Sequence, residues 1–321
     1  MMTLPDFEKK QIIFVFLNIG EKISFSNDNL VVKDKDDKTK LQTTCYRIFA
    51  LFVIGEFSIT TGLVQRAQKF TFPIYLLTGS MKLYDKIGYS MDGNVILRRK
   101  QYNYKGLELA RFIVRNKVLN QVEVLKSRRN KSDELRNTIE KLSLYIERVS
   151  DTNDLQELMG IEGNAAKIYF KHEFDNVEWK GRKPRAKNDY VNSALDIGYS
   201  VLFNIVEALL DIYGFDTYSG FLHKEFYRRK SLVCDMVEPF RVIIDEVVRK
   251  GINLKQIKEE DFNNVNGSYR LKWEKNRSYI LLFVKAVLDY KKEVFLYFQS
   301  FYRAFMKSLP TDNYLVFKWG G

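Results

Sequence analysis

The sequence predicts an α+β protein in which a small N-terminal β-sheet domain of sandwich type, residues 1–95, precedes a larger all-α domain, residues 96–321. Before residue 95 the apolar runs are short and rich in β-branched and aromatic residues. After it, apolar residues recur with the 3.6-residue period of a helix. The chain also has only five prolines among 321 residues, which suits long helices.

Three short apolar runs in the first 95 residues predict β-strands, because turn residues separate runs rich in valine, isoleucine and aromatic side chains. The runs cover residues 12–17, 47–53 and 72–77. Residues 61–69 have the composition of one short helix between strands. Asp92-Gly93-Asn94 is the last strong turn signal before the pattern changes, which places the domain boundary near residue 95.

Helical periodicity dominates the rest of the chain. We predict long helices over residues 107–124, 190–213, 238–250 and 279–304. Gly214 and Gly251 follow the second and third of these at the position of a helix-terminating glycine. The apolar residues of the last helix are interpreted as core and packing surface rather than as a helix that lies on a membrane.

The chain is basic, and the excess charge is concentrated in the helical part. Its 52 lysines and arginines exceed its 40 aspartates and glutamates, which gives a net charge of +12. Residues 1–95 contain 12 of the basic and 10 of the acidic residues (+2), so +10 belongs to residues 96–321. Such a surface is typical of proteins that bind a polyanion or an anionic membrane.

Other features exclude several classes of protein. With 45% hydrophobic and 14% aromatic residues, the chain can form a core and is not disordered. No apolar run reaches the roughly 20 residues of a membrane-spanning helix, and the N-terminus lacks a secretory cleavage site. Cys45 and Cys234 are too few for a disulfide framework or a zinc cluster. We therefore expect a cytoplasmic protein without redox chemistry.

Three acidic residues in the helical part are candidates for metal binding or acid–base chemistry. Glu162 lies on a helical face that is otherwise small and apolar, so it must be neutral, paired or bound to metal. Asp235 and Glu238 share a helical face near a helix end, since Pro239 interrupts helical hydrogen bonding. A plain ion pair with the nearby Arg241 is the alternative interpretation of these two carboxylates.

The two histidines differ in their surroundings. His172 stands between Lys171 and Glu173 on a predicted helix, so we expect it at the surface. His223 follows a glycine-containing segment and could approach the acidic residues if the chain folds back. One glutamate, one histidine and a second carboxylate form a donor set suited to Mg²⁺ or Mn²⁺ and to phosphodiester chemistry.

The densest cationic segment lies just before the helix predicted at residues 190–213. Its basic residues are Lys180, Arg182, Lys183, Arg185 and Lys187, and a glycine and a proline mark it as a loop. Arg228 and Arg229 add positive charge between His223 and Asp235. We predict that these cations contact backbone phosphates of a nucleic acid. The alternative interpretation is a solvated surface.

The order of short motifs in this part of the chain resembles that of the CRISPR-associated spacer-acquisition integrase, the first Cas protein. The motifs are Gly160-Ile161-Glu162-Gly163, Asn192-Ser193-Ala194-Leu195 with Gly198-Tyr199, Gly220-Phe221-Leu222-His223, and residues 231–241. The resemblance covers about residues 45–245, and roughly the last seventy residues match nothing in it.

The resemblance implies an N-terminal dimerisation domain and a C-terminal catalytic and DNA-binding domain. By the match of motifs, Glu162, His223 and Glu238 would bind Mg²⁺ or Mn²⁺. Asp235 would be an essential neighbouring acid, and Arg241 a cation near the DNA. The implied activity is that of a metal-dependent DNA endonuclease and integrase, which inserts short prespacer DNA into the CRISPR array by attack of a 3′-OH on a phosphodiester.

The implied partners are a second copy of the chain, the small second Cas protein in a heterohexameric integration complex, and prespacer and array DNA. A Cas processing nuclease is a further expected partner, and a membrane is not. The competing hypotheses are a non-catalytic DNA-binding scaffold protein and a basic helical protein that docks on membranes.

Overall fold

The computed structural model describes residues 2–175, 177 and 179–320. The chain forms two compact units. The first comprises the residues up to Val95 together with Ala208–Phe215, and the second comprises Ile96–Glu207 and the residues from Asp216 onward. The division predicted at residue 95 did not include Ala208–Phe215 in the first unit.

The first unit contains two β-sheets around one hydrophobic core. Its strands are β1 (Gln11–Leu17), β2 (Lys22–Ser26), β3 (Asn29–Lys33), β4 (Thr39–Thr44), β5 (Ile48–Gly55), β6 (Pro73–Leu77) and β7 (Leu83–Gly88). One sheet has the strand order β1-β5-β6-β7 and the other β2-β3-β4. Side chains from both sheets, such as Val32 of β3 and Val53 of β5, meet in the core. This arrangement confirms the predicted sandwich-like β domain.

Strand β5 is apolar along its length because it lies inside the sheet, between β1 and β6. It pairs parallel with both neighbours, in a register that places Phe52 opposite Phe14 and Tyr75. Parallel neighbours need a crossover connection, and the helix α2 (Thr61–Lys69) connects β5 to β6, with the bounds predicted from the sequence. A shorter helix, α1 (Leu4–Glu8), precedes β1.

The second unit is mainly helical. The helices that follow the β-strands are α3 (Val95–Asn103), α4 (Glu108–Lys126), α5 (Asp133–Ser150), α6 (Leu155–Glu173), α7 (Tyr190–Asp211), α8 (Ser231–Val237), α9 (Arg241–Asn253), α10 (Trp273–Asp289) and α11 (Lys291–Met306). A hairpin that the sequence did not predict, β8 (Phe262–Val265) and β9 (Ser268–Leu271), lies between α9 and α10. Its Asn266-Gly267 turn has positive φ at both residues, as type I′ hairpin turns require.

The structure corrects two helix predictions. The single helix predicted at residues 279–304 is two helices, α10 and α11, which meet at Tyr290. Gly251 does not end its helix, since α9 continues to Asn253. A Cβ at Gly251 would lie 2.8 Å from the Ile257 side chain, so this glycine serves close packing.

Helix α7 has 22 residues and, by length and composition alone, is apolar enough to cross a membrane. However, 78% of its most apolar window is buried inside the protein. Its buried side chains include Leu195, Val201 and Leu202. This burial is that of a core helix, and no other helix within the described residues meets the criteria for a membrane span.

Candidate active site

Glu162 lies on α6, whose N-terminus is capped by Asp154. The Asp154 carboxylate accepts hydrogen bonds from the backbone N–H groups of Gln156 and Glu157, which satisfies two of the amides that a helix start leaves unpaired. Ile161 beside Glu162 is buried, whereas the Glu162 side chain keeps 24% of its surface exposed. Glu162 therefore lies at the edge of the core, within reach of solvent.

Lys117 of α4 connects Glu162 with Glu238. Its ammonium group forms one ion pair with Glu162 Oε1 and another, 2.6 Å long, with Glu238 Oε2. The side chains of Lys117 and Glu238 are only 8% and 5% exposed. Burial acts to lower the pKa of Lys117, but the charges of Glu238 and Glu162 raise it above its ordinary value. The two glutamates that the sequence singled out thus converge on one buried cation.

Arg241 is the second cation beside Glu238. Its Nε lies 3.0 Å from Glu238 Oε2, the oxygen that also faces Lys117. Burial acts to raise the pKa of Glu238, but the charges of Arg241 and Lys117 outweigh burial and hold the pKa well below its ordinary value. Glu238 Oε2 thus faces two cations at once, which keeps this buried carboxylate ionised. An ionised carboxylate is a ligand that divalent cations accept.

A break between two helices positions the Glu238 side chain. Helix α8 ends at Val237, and Glu238–Phe240 form one 3₁₀ turn before α9 begins at Arg241. Pro239 cannot donate the backbone hydrogen bond of a continuous α-helix. The turn confirms the interruption predicted at this proline.

Asp235 of α8 holds His223 in a defined orientation. Asp235 Oδ1 lies 2.6 Å from His223 Nδ1 and accepts the His223 backbone N–H at 2.9 Å. Asp235 Oδ2 accepts the N–H groups of Phe221 and Leu222 at 2.5 and 2.9 Å. The contact with Asp235 fixes the orientation of the ring through Nδ1, and it leaves Nε2 as the ring nitrogen that can bind a ligand.

Gly220 allows the 220–223 segment to close on Asp235. A Cβ at Gly220 would lie 2.7 Å from Asp235 Oδ2 and 2.9 Å from the His223 carbonyl oxygen, distances that a real Cβ does not reach. The Gly-Phe-Leu-His motif is therefore a loop built around the buried Asp235 carboxylate, which folds His223 back toward α8 as the sequence suggested.

The donor chemistry of these residues fits a divalent cation. The carboxylates of Glu162 and Glu238 and the free Nε2 of His223 are ligands that Mg²⁺ and Mn²⁺ accept. No three His, Cys, Asp or Glu side chains of the described residues are grouped closely enough to hold a metal ion as they stand. The Lys117 ammonium lies between the two glutamates, so metal binding would require Lys117 to move.

A comparison with known families identifies the group of proteins to which this site belongs. The model of the family described as CRISPR associated protein Cas1 matches residues 14–285. The chain belongs to the Cas1 family. This confirms the resemblance seen in the motifs, and the matched range contains Glu162, His223, Asp235 and Glu238. The CRISPR-associated endonuclease Cas1 1 of Archaeoglobus fulgidus is 27% identical over 276 residues, which are 77% of this chain and 80% of that relative.

Two solved structures share the Cas1 fold of this chain. A chain of a Cas6-RT-Cas1–Cas2 complex gives a TM-score of 0.79 at 22% identity, over 98% of this chain and 36% of that chain. This chain therefore spans about a third of that longer chain. A casposase bound to integration product gives a TM-score of 0.74 at 19% identity, over 97% of this chain and 96% of that chain.

The basic segment 180–187 presents some of its cations to solvent and turns one inward. Its exposed cations are Lys180, Lys183 and Arg185, and Lys187 is half-buried. The Arg182 guanidinium instead donates to Asp196 Oδ1 at 2.6 Å and lies over the Tyr199 ring at 5.2 Å. Arg182 thus has internal partners, which the sequence pattern did not indicate.

The segment that follows His223 exposes aromatic as well as basic side chains. Phe226 and Tyr227 are 71% and 80% exposed. The guanidinium groups of Arg229 and Arg228 lie 5.8 and 5.2 Å from the centroids of these rings. Exposed rings beside cations are typical of surfaces that stack on unpaired nucleic-acid bases. In the sequence, only the two arginines of this segment stood out as candidate DNA contacts.

The prediction that His172 is a surface residue is wrong. His172 is buried, and its Nε2 lies 3.0 Å from the hydroxyl of Thr138 on α5. The side chain points into the packing between α5 and α6 because its charged neighbour Lys171 takes the exposed face of the helix.

Lys117 is a site residue to which the sequence pattern assigned no role, although it belongs to a stretch of α4 that loosely resembles the family. It lies between Val114 and Val118 on the face of α4 that the periodicity predicted to be buried. A lysine on an apolar face needs a buried partner, which is the argument that identified Glu162. A lysine and a glutamate on apolar faces, each in need of a partner, together predict an ion pair between Lys117 and Glu162.

Proposed function

We propose that this chain is a metal-dependent DNA endonuclease and integrase of CRISPR adaptation, which inserts short prespacer DNA into a CRISPR array by transesterification. The observation that carries the proposal is the convergence of Glu162 and Glu238 on the buried Lys117 ammonium, with His223, whose ring is fixed by Asp235, acting electrostatically on Glu238. Family membership, a relative named an endonuclease and a similar fold solved with an integration product support it.

Glu162, Glu238 and His223 would hold one Mg²⁺ or Mn²⁺ ion. When bound, the ion would polarise the scissile phosphate and offset negative charge on the leaving oxygen. Asp235 acts through His223, because its carboxylate accepts the backbone N–H groups of residues 221–223 and contacts the His223 ring, and it is therefore a positioning residue. Lys117 would neutralise the two glutamates when the ion is absent.

The proposed step conserves the number of phosphodiester bonds. The 3′ oxygen of the prespacer forms a bond to the phosphorus of an array phosphodiester and loses its proton. The bond from that phosphorus to the array strand's 3′ oxygen breaks, and this oxygen takes up a proton. With water in place of the 3′-OH, the same step is hydrolysis, which is the endonuclease activity.

We propose that the exposed cations Lys180, Lys183, Arg185 and Arg228 and the half-buried Lys187 contact backbone phosphates. Arg182 and Arg229 would instead hold the two loops in shape through their internal contacts. Arg241 would remain beside Glu238 and add positive charge at the reacting phosphate. Phosphate contacts position DNA without reading its sequence, so sequence choice would come from partners and from DNA shape.

We also propose that the chain acts as a homodimer together with the small second Cas protein. A Cas1 fold within a Cas6-RT-Cas1–Cas2 complex supports this partner. The N-terminal β domain would supply the dimer contact.

Chelator-sensitive strand transfer tests the proposal. The full-length protein, alone and with the second Cas protein, is incubated with a 3′-OH prespacer duplex and array DNA in Mn²⁺, with and without EDTA. We expect joined products only without EDTA, and none with Glu162→Gln or His223→Ala, although both variants still bind DNA. If these variants retained full activity, the catalytic assignment would fail and the non-catalytic DNA-binding scaffold would replace it.

A further inference from the structure

The C-terminal segment, residues 314–319, packs against the turn that carries Glu238; we call this segment the C-terminal strap. It follows α11 and lies beyond the residues matched by the family model. Phe317 is buried, and its ring centroid lies 4.6 Å from that of Phe240, the last residue of the turn. Tyr314 at the start of the strap is also buried.

Two asparagines of α4 hold the strap by its backbone. Asn116 donates from Nδ2 to the Phe317 carbonyl oxygen at 2.7 Å and accepts the Phe317 N–H at 3.0 Å. Asn120 donates to the same carbonyl at 3.1 Å and accepts the Trp319 N–H at 2.9 Å. Both asparagine side chains are buried, so each of these bonds is costly to lose.

Asn120 also reaches the turn itself. Its Nδ2 donates to the carbonyl oxygen of Pro239 at 3.0 Å. Nδ2 of Asn120 therefore donates one hydrogen bond to the strap, at Phe317, and another to Pro239, the residue next to Glu238. Asn120 lies three residues after Lys117 on α4, so its side chain and the lysine that pairs with Glu238 come from neighbouring positions on one helix face.

We propose that Asn120, whose buried amide is held by the C-terminal strap, is a positioning residue that fixes the Glu238–Phe240 turn and thereby sets the affinity of the site for its divalent cation. The inference rests on the proposed function, because it takes Glu238 as a metal ligand. Residues that orient metal ligands typically change metal affinity by about 10- to 100-fold when mutated. Asn120 would orient Glu238 in this way, because it holds the carbonyl group of the adjacent Pro239.

The test compares Asn120→Ala with Asn116→Ala in the full-length chain. Both substitutions remove a buried amide that binds the Phe317 carbonyl, but only the first removes the bond to Pro239. Mn²⁺ binding is measured from the electron paramagnetic resonance signal of free Mn²⁺. We expect Asn120→Ala to weaken Mn²⁺ binding at least about 10-fold and Asn116→Ala to weaken it less than about three-fold. Equal weakening would overturn the proposal, because it would show that the bond from Asn120 to Pro239 has no specific effect on the metal site.

Asn120→Asp serves as a second variant if Asn120→Ala does not fold. It keeps the shape of the side chain and an acceptor for the Trp319 N–H, but an ionised carboxylate can donate to neither the Phe317 nor the Pro239 carbonyl. We expect the same loss of Mn²⁺ affinity from it. Unchanged affinity in this variant would contradict a role for the bond to Pro239.

Hydrogen exchange without metal separates failure of this inference from failure of the proposed function. The probe is the Arg241 amide, which donates to the Glu238 carbonyl across the turn. We expect Asn120→Ala to speed its exchange and Asn116→Ala to leave it near the wild-type rate. If the wild type bound no Mn²⁺ but the two variants still differed in Arg241 amide exchange, the assignment of the metal site would fail, whereas the role of Asn120 in fixing the turn would stand. If the two variants did not differ in Arg241 amide exchange, the role of Asn120 in fixing the turn would fail.

Discussion

Two carboxylates of the same helix, α6, have opposite surroundings. Glu162 shares the Lys117 cation with a second carboxylate, Glu238, and keeps 24% of its side chain exposed. Glu173 has two cations, Arg128 at 2.6 Å and Arg249 at 3.2 Å, and its side chain is fully buried. One helix thus carries a carboxylate at an open edge and another inside a closed ion-pair network.

The carboxyl groups in the two networks have pKa values that are shifted in opposite directions. Charges of Arg241 and Lys117 outweigh burial at Glu238, so the carboxylate that shares Lys117 with Glu162 has a low pKa. Burial dominates at Glu173 and raises its pKa to about 8, against the charges of Arg128 and Arg249. A carboxylate that is ionised and reachable can bind a metal ion, whereas a sealed one with a raised pKa serves the fold.

The largest expected effect comes from replacing these two carboxyl groups of α6 one at a time. Glu162→Gln is expected to lower single-turnover strand transfer by at least about 1,000-fold, about 4 kcal/mol of transition-state stabilisation, because it removes a metal ligand. Glu173→Gln is the matched control and is expected to change the rate less than about three-fold. Similar rates for the two variants would contradict the conclusion that Glu162 binds a metal ion whereas Glu173 serves the fold.

Lys117→Met is expected to cost about 3 kcal/mol in the free energy of unfolding without metal, because Glu238 is left buried without one of its cations. Mn²⁺ should recover a large part of this loss by supplying the missing charge, so the Mn²⁺-induced rise in melting temperature should exceed that of the wild type. Arg249→Met breaks the closed network as the control, and Mn²⁺ should not rescue it. Rescue of both variants would show a nonspecific ion effect.

Much of this arrangement follows from patterns along the chain, and the remainder depends on contacts between distant segments. The apolar face around Glu162 and the position of Pro239 predicted a carboxylate in need of a partner and a helix break. The burial of His172 depends on α5, which no local pattern brings to it. The fixing of His223 depends on three backbone amides closing around Asp235, and spacing alone cannot show such a loop.

The free energy of unfolding should depend on pH in the neutral range because of Glu173, the carboxyl group of the closed network. With a pKa of about 8 in the folded protein against an ordinary value of 4.5, Glu173 keeps a proton in the native state that the unfolded chain has released. Stability should therefore fall as pH rises through this window and level off above pH 8. The groups that face Glu173 are Arg128, Arg249, Glu246, Asp245 and Tyr169.

Denaturant unfolding at pH 6 and pH 8 measures this dependence. We expect the wild type to lose about 2 kcal/mol between the two values and Glu173→Gln to lose much less, because glutamine does not titrate. A wild type as stable at pH 8 as at pH 6, together with a strongly destabilised Glu173→Gln, would show that Glu173 is ionised and that its two arginines outweigh burial.

The smallest expected effects separate cations that face solvent from those that belong to the buried networks. The guanidinium groups of Arg182 and Arg241 both lie over the Tyr199 ring, at 5.2 and 4.5 Å, and the Tyr199 hydroxyl donates to Asp245. Arg182 is therefore a structural cation within a basic segment. The exposed Arg185 has no ring of this kind beneath it in the described part of the chain.

Arg185→Ala should weaken DNA binding several-fold and reduce the slope of log affinity against log salt concentration by about 1, as for loss of one phosphate contact. Arg182→Ala should leave that slope unchanged and instead lower the melting temperature, because Asp196 loses its ion pair. Titrations at several salt concentrations with a fluorescent duplex measure both slopes. If Arg182→Ala reduced the slope as Arg185→Ala does, its guanidinium would reach the DNA, and the cation over Tyr199 would belong to the binding surface rather than to the interior.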